Sequence, residues 1–159
     1  KYKNLLVTGT LSKSHSLAGL RLGFAVGDPE LIEGLCRIRD SFNSYPVDAI
    51  AQRVASVAVA DDGYVMENVR RICETRDRIA RELRNRGWTV PESKTNFLFA
   101  SPQAATAEYL YTKLKEKGIL VRYFNKPRIS GYLRITVGTD EEMDALLTAV
   151  DQIVGGNET

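Results

Sequence analysis

Two hydroxyls, an amine and a guanidinium fall within twelve residues near the start of the sequence, at Thr10, Ser12, Lys13 and Arg21. A neutral amine can condense with an aldehyde, while hydroxyls donate to a phosphate and a guanidinium pairs with it in a fork. Together these four residues suit the two ends of a phosphorylated aldehyde. Serine and threonine also bond nearby backbone in turns, so Thr10 and Ser12 have a local use as well. A further guanidinium, Arg134, sits in the otherwise apolar run Leu133-Arg134-Ile135-Thr136-Val137. A charge in such a run needs an anionic partner, whether a ligand carboxylate or an internal salt bridge. Arg122 and Arg128 flank the loop that precedes it. His15 is the one histidine, and without a second histidine or a thiol at ligand spacing no metal site is supported.

The composition excludes several classes of function. A chain of 159 residues is long enough for a core, and its net charge of +2 is too small to argue for a polyanionic partner. The arginines after residue 70 are interleaved with Glu67, Glu74, Asp77 and Glu82, which reads as a solvated, ion-paired face and not a nucleic-acid stripe. Cys36 and Cys73 lack metal spacing and read as free thiols of a reducing compartment. No run approaches the roughly 20 apolar residues that cross a bilayer, and the start carries no basic-then-apolar leader. A soluble cytoplasmic protein without membrane or nucleic-acid partners is the expectation.

Patterning then supplies the elements that must position these side chains. Leu5 to Thr8 and Leu20 to Val26 read as strands, the first of them buried. Asp28-Pro29-Glu30 opens a helix whose face carries Leu31, Leu35 and Ile38, and Phe42 to Pro46 breaks it. Val47 to Ala60 reads as a helix buried on most sides. Asp61 to Arg86 reads as a long amphipathic helix stopped by Gly87. Asn96 to Ala100, Ile119 to Tyr123 and Tyr132 to Val137 read as strands. Ser101-Pro102 is expected to cap a helix that runs to about Lys117 and ends at Gly118. Thr139 to Glu142 is a capping box opening a last helix to about Val154, with Gly155 to Thr159 a frayed tail. Helices on one face of a small, mostly antiparallel sheet follow for the second half.

The order S-K-x5-G-L-R-x-G, from Ser12 to Gly23, resembles the cofactor-lysine signature of the fold-type I pyridoxal-phosphate aminotransferases. The segment Gly131 to Thr139 resembles the region where that family keeps its substrate-carboxylate arginine. The likeness is greatest to the histidinol-phosphate aminotransferase branch and runs over nearly the whole chain. It implies pyridoxal 5'-phosphate as cofactor, Lys13 as the catalytic lysine, and Thr10, Ser12 and Arg21 as its phosphate ligands. It implies Arg134 as the carboxylate fork, with Arg122 facing a substrate phosphate and Asn96 lining the substrate cleft; Arg128 is a weaker candidate and His15 has no implied role. Glycines 19 and 23 are read as sites of close backbone packing.

The implied fold is α/β passing to α+β: residues 1–60 end the large cofactor-binding domain, and residues 61–159 form a small C-terminal α+β domain. The implied reaction passes an amino group between glutamate and imidazole-acetol phosphate in histidine biosynthesis, in a homodimer. A threonine-phosphate decarboxylase and an aromatic or aspartate-type aminotransferase share the same lysine and arginines. The family's ring-binding aspartate and tyrosine, its stacking aromatic and its glycine-rich phosphate turn lie before the lysine in relatives, so the chain reads as a fragment. It is expected to be catalytically incompetent alone, and a purely structural or dimer-forming role is the remaining alternative.

Overall fold

In the first part of the chain a two-stranded ribbon is built around small residues. Strand β1 (Leu6–Thr10) runs antiparallel to β2 (Gly23–Gly27), with Gly9 opposite Phe24 and Thr10 opposite Gly23. A Cβ on Gly9 would stand 2.3 Å from the tip of the Phe24 ring, so only glycine lets that ring lie across the neighbouring strand. This computed structural model describes residues 2–43, 45 and 47–156. The chain divides into two units, residues 1–69 and 70–159.

Within the first unit, β1 passes directly into a short helix, α1 (Leu11–Ser14), and then a 3-10 turn over Ala18–Leu20. The sequence predicts a strand from Leu20, but Arg21 adopts a left-handed conformation (φ 53°) that no strand accommodates, so pairing starts only at Gly23. Helix α2 (Pro29–Phe42) begins as its residues dictate: the Asp28 carboxylate accepts from Glu30 N at 3.1 Å and Pro29 takes the first turn. Helix α3 (Ala49–Ala60) is capped by Asp48, which accepts from Ala51 N at 2.9 Å. Ser44 and Pro46, part of the predicted break after α2, lie outside the described residues.

Burial in this unit departs from expectation. β1 is not buried, and Val7 and Val26 are half or more exposed. Leu31, Leu35 and Ile38 of α2 are exposed, and only Ala51 and Ala55 of α3 are buried, while Ile50 is 74% exposed. The apolar patterning is present, but a face is buried only where another layer covers it, and within residues 1–69 little does.

The second unit has its own core. Helix α4 (Asp62–Asn85) contributes Ile79, Ala80 and Leu83, and Gly87 (φ 80°) and Gly118 (φ 78°) stop it and the helix that follows it as predicted. Strand β3 (Phe97–Ala100), helix α5 (Ala107–Glu116), the two-residue β4 (Arg122–Tyr123), β5 (Leu133–Thr136) and α6 (Asp140–Gly155) follow. The sheet is antiparallel with β5 central, in the order β3-β5-β4. Leu98, Ala100, Leu133 and Ile135 from alternate positions meet Leu110 and Leu114 of α5 and Leu146 and Val150 of α6 in one buried cluster.

Two boundaries differ from the sequence reading. Ser101-Pro102 caps nothing, because Ser101 is still bridged to Thr89; α5 begins six residues later, where Thr106 accepts from Tyr109 N at 3.2 Å. The strand expected from Ile119 shrinks to Arg122 and Tyr123. The box at α6 is as predicted: Glu142 N donates to Thr139 Oγ1 at 3.3 Å and Thr139 N to Glu142 Oε2 at 2.9 Å. Residues 157–159, most of the predicted tail, lie outside the described residues. No helix among the described residues is long and apolar enough to cross a membrane.

Candidate active site

The hydroxyl-and-lysine group lies at the junction of β1 and α1, and local bonds fix its shape. Thr10 Oγ1 accepts from Ser12 N at 3.2 Å as the helix cap, and its own proton lies within reach of Ser12 Oγ at 2.9 Å and the Leu22 carbonyl at 3.2 Å. Leu11 N donates to the same Leu22 carbonyl. This double tie brings the residue after Arg21 against the start of α1, so Thr10, Ser12 and the backbone at Arg21 form one neighbourhood. Arg21 is exposed, donates from Nη1 to the Ala18 carbonyl at 3.1 Å, and has no carboxylate partner among the described residues.

Lys13 is exposed on α1 and its amine has no hydrogen-bond or ion-pair partner among the described residues. Ser12 Oγ accepts from Thr10 and keeps its own proton free for another acceptor. His15 Nδ1 is 2.8 Å from Ser14 Oγ, so the imidazole is tied to its own turn. A Cβ on Gly23 would come within 3.0 Å of the Gly9 carbonyl, in line with close packing there, whereas Gly19 has open space around it and no such need. An open apolar groove of about 490 Å³ runs past Leu11, Phe24, Ala55 and Val59, but none of Thr10, Ser12, Lys13 and Arg21 lines it.

In the second unit, two candidate residues, Arg134 and Arg122, meet on the outer face of the sheet. Leu133 and Ile135 turn into the core, so Arg134 points to the other face, opposite Phe99 on β3 and Arg122 on β4. Phe97 and Phe124 flank its guanidinium, with Cζ 5.4 Å and 6.0 Å from the ring centroids, and Arg122 Cζ lies 5.2 Å over the same Phe124 ring. Phe99 stacks on Tyr132 at 4.5 Å. Arg134 Nε is buried without a hydrogen-bond partner. Asn96 precedes β3 half-buried and makes no side-chain hydrogen bond among the described residues; its carbonyl accepts from Val137 N at 3.0 Å. Arg128 is exposed with φ 72°.

Sequence reasoning did not find the aromatic surround of Arg134. Its signal is the alternation of Phe97 and Phe99 on the same face of β3, which a strand places together.

The arginines near α4 behave differently. Arg78 reaches Asp140 at 2.8 Å and Asp144 at 2.6 Å, and Arg86 reaches Glu82 at 2.7 Å and Asp151 at 2.8 Å. Buried Arg76 bonds Asp77 at 2.9 Å and the Thr95 carbonyl at 3.4 Å. The bond from Arg78, helped by Thr75, holds the Asp140 carboxyl below the ordinary range, and Arg86 does the same to Asp151. These guanidiniums are satisfied within the fold. Arg21, Arg122 and Arg134 have no carboxylate partner among the described residues, which leaves their charge available to an anion from outside.

Known proteins resemble this chain over almost all of it. It is 49% identical over 158 residues to a histidinol-phosphate aminotransferase of Clostridium beijerinckii, covering 99% of this chain and 44% of that protein. It is 51% identical over 152 residues to the enzyme of that name from Marinomonas, covering 94% of this chain and 43% of the relative. The chain thus spans less than half the length of these relatives. A crystal structure of histidinol-phosphate aminotransferase from Sinorhizobium meliloti in complex with pyridoxal-5'-phosphate is similar at 28% identity and TM-score 0.81, over 98% of this chain and 42% of that one. The family model for aminotransferase class I and II matches residues 1–150, and with the lysine turn and the arginine strand each formed in its own unit, the chain belongs to that family.

Proposed function

We propose that the full-length protein carrying this sequence is a pyridoxal-phosphate-dependent histidinol-phosphate aminotransferase, moving an amino group between glutamate and imidazole-acetol phosphate. The observation that carries the reading is the exposed Lys13 amine, without a partner among the described residues, one residue beyond the Thr10–Ser12 hydroxyl pair, with Arg21, which has no carboxylate partner among them, tethered through Leu22. That donor set fits a phosphate ester: it offers a free hydroxyl proton and a guanidinium, and no carboxylate pairs with either cation among the described residues.

In this reading Ser12 donates its free hydroxyl proton to the cofactor phosphate, Thr10 joins it by turning its own proton away from Ser12 and Leu22, and Arg21 neutralises the charge. Lys13 Nζ would hold the aldehyde end of the cofactor, and as a free amine it would take the proton from the substrate α-carbon. When bound, the cofactor supplies an electron sink for the pair left at that carbon. Arg134 grips the substrate α-carboxylate and so fixes which hydrogen is presented. Arg122 meets the substrate phosphate, and Asn96 lines the cleft. Residues 1–60 belong to the large domain and 61–159 to the small one, and the enzyme works as a cytoplasmic homodimer.

Borohydride reduction of the full-length protein with pyridoxal phosphate, followed by peptide mapping, tests the assignment. The label is expected on Lys13, and a label on another lysine overturns it. Parallel assays with imidazole-acetol phosphate, an aromatic keto acid, oxaloacetate and threonine phosphate decide the substrate. Turnover preferring any but the first replaces the histidinol-phosphate reading while leaving Lys13 in place.

A further inference from the structure

Arg134 presents a physical difficulty that its proposed role does not resolve. A long side chain with no carboxylate partner among the described residues, and with Nε buried and unbonded, has little to keep it in one rotamer before the substrate arrives. Its cross-strand neighbour on β4 is another arginine, Arg122, and like charges opposite one another on a sheet repel. Repulsion alone would drive both side chains apart. Yet both guanidiniums lie over aromatic rings: Arg134 over Phe97 at 5.4 Å and Phe124 at 6.0 Å, Arg122 over Phe124 at 5.2 Å.

We infer that Phe97 and Phe124 are positioning residues, which hold the Arg134 guanidinium by cation–π contact and leave its terminal N–H groups free for a carboxylate. The inference rests on the reading of Arg134 as the carboxylate fork. A carboxylate in the same place would fix the side chain equally well, but it would neutralise the charge and occupy the hydrogen-bonding edge. The face of an aromatic ring attracts a cation through its quadrupole and takes none of its donors. Phe124 serves both arginines, so its negative face offsets part of their mutual repulsion and sets their separation. Phe97 gains its place from the pleat: it shares the outer face of β3 with Phe99, which is itself fixed by stacking on Tyr132 at 4.5 Å. Ordering the fork before binding lowers the entropy lost when substrate docks. The effect therefore belongs in substrate affinity and not in the rate of proton transfer at Lys13.

The test uses the full-length holoenzyme with Phe97→Leu, Phe124→Leu, the double variant and the conservative Phe124→Tyr. Leucine keeps the apolar bulk and removes the quadrupole, whereas tyrosine keeps the ring face. Each leucine variant is expected to raise KM for glutamate about two- to fivefold with kcat retained, as loss of one partly exposed cation–π contact implies. Phe124→Leu should also weaken binding of the phosphate-bearing substrate, and Phe124→Tyr should restore both. The terminal and Nε nitrogen resonances of Arg134 supply a readout apart from turnover. Rotation of the guanidinium should be slow in the parent protein and faster in the leucine variants. Unchanged KM and unchanged Arg134 dynamics in the leucine variants, while Arg134→Lys still raises KM, would overturn the positioning role and leave the carboxylate fork standing. Unchanged KM in Arg134→Lys would remove the fork itself and the inference with it.

Discussion

Residues 70–159 satisfy their own needs, and residues 1–69 do not. In the second unit the sheet and helices α4, α5 and α6 bury one continuous cluster, from Ile79 at 0% exposure to Ile153 at 7%. Arg78 and Arg86 are matched with carboxylates on α4 and α6. Among the described residues of the first unit only Leu11, Ala51 and Ala55 are buried, while Leu5, Val7, Phe24, Val26, Ile38 and Val57 stay exposed. A two-stranded ribbon is at best marginal without a third layer, and exposed apolar surface on this scale marks a face that takes a partner. The contrast teaches that helix caps and strand register are set locally, whereas burial of an apolar face depends on a covering layer that patterning does not reveal.

Excision is the most direct way to break this comparison. Residues 70–159 produced alone are expected to unfold in a single cooperative transition by circular dichroism. Residues 1–69 alone are expected to show weak, non-cooperative helicity and to bind a hydrophobic dye. A cooperative transition in the shorter piece would show that its few buried contacts suffice.

Point substitutions sharpen the same contrast. Leu110→Ala leaves a cavity beneath the sheet and should cost about 2–5 kcal/mol by denaturant unfolding. Ile50→Ala in the 159-residue chain removes a side chain that is 74% exposed, so it should change stability by no more than about 0.5 kcal/mol.

What could be read beforehand follows the same division between local and global. The Asp28-Pro29 start, the Thr139 box and the stops at Gly87 and Gly118 rest on contacts within a few residues, and each is where the sequence places it. The four-residue α1 was missed because so short a helix has no periodicity, and its cap, Thr10, also closes a strand. The Ser101-Pro102 cap failed because the chain first completes a bridge to Thr89, a partner distant in sequence. The type and spacing of Thr10, Ser12, Lys13, Arg21 and Arg134 were legible. The aromatic support of Arg134 was not, because it depends on pairing of strands separated by a helix and a further strand.

The two kinds of arginine give the next contrast. Arg134→Lys keeps the charge and loses the fork, so a charge-assisted contact worth about 1.5–3 kcal/mol is lost from substrate binding. In the full-length enzyme KM for both glutamate and the phosphate-bearing substrate should rise about ten- to a hundredfold, with thermal stability held. Arg86→Lys should do the reverse, lowering the melting temperature slightly and leaving KM unchanged. If Arg134→Lys instead lowered stability alone, Arg134 would belong with the structural set.

Acid should act on the second unit weakly and in a fixed direction. Arg86 holds the Asp151 carboxyl below its ordinary range, and Arg78 with Thr75 does so for Asp140. A carboxylate whose folded pKa is depressed contributes stability above its unfolded value, about 3.9, and loses it as pH falls through the lower folded value. The melting temperature of residues 70–159 should therefore be insensitive to these two groups from pH 7 down to about 5, and should fall below about pH 4. Asp151 is 53% exposed in its pair with Arg86, so solvent screening limits that contribution to no more than about 1 kcal/mol, or a few degrees. Asp151→Asn should sit below the parent protein at pH 7 by that amount, and the gap should close as the parent's carboxyl takes up its proton below the ordinary carboxylate range. Half-molar salt should narrow the gap at pH 7, because the pair is open to counter-ions. A gap that persists undiminished as the pH is lowered until the acid transition levels off would mean that Asp151 contributes through packing and not through charge.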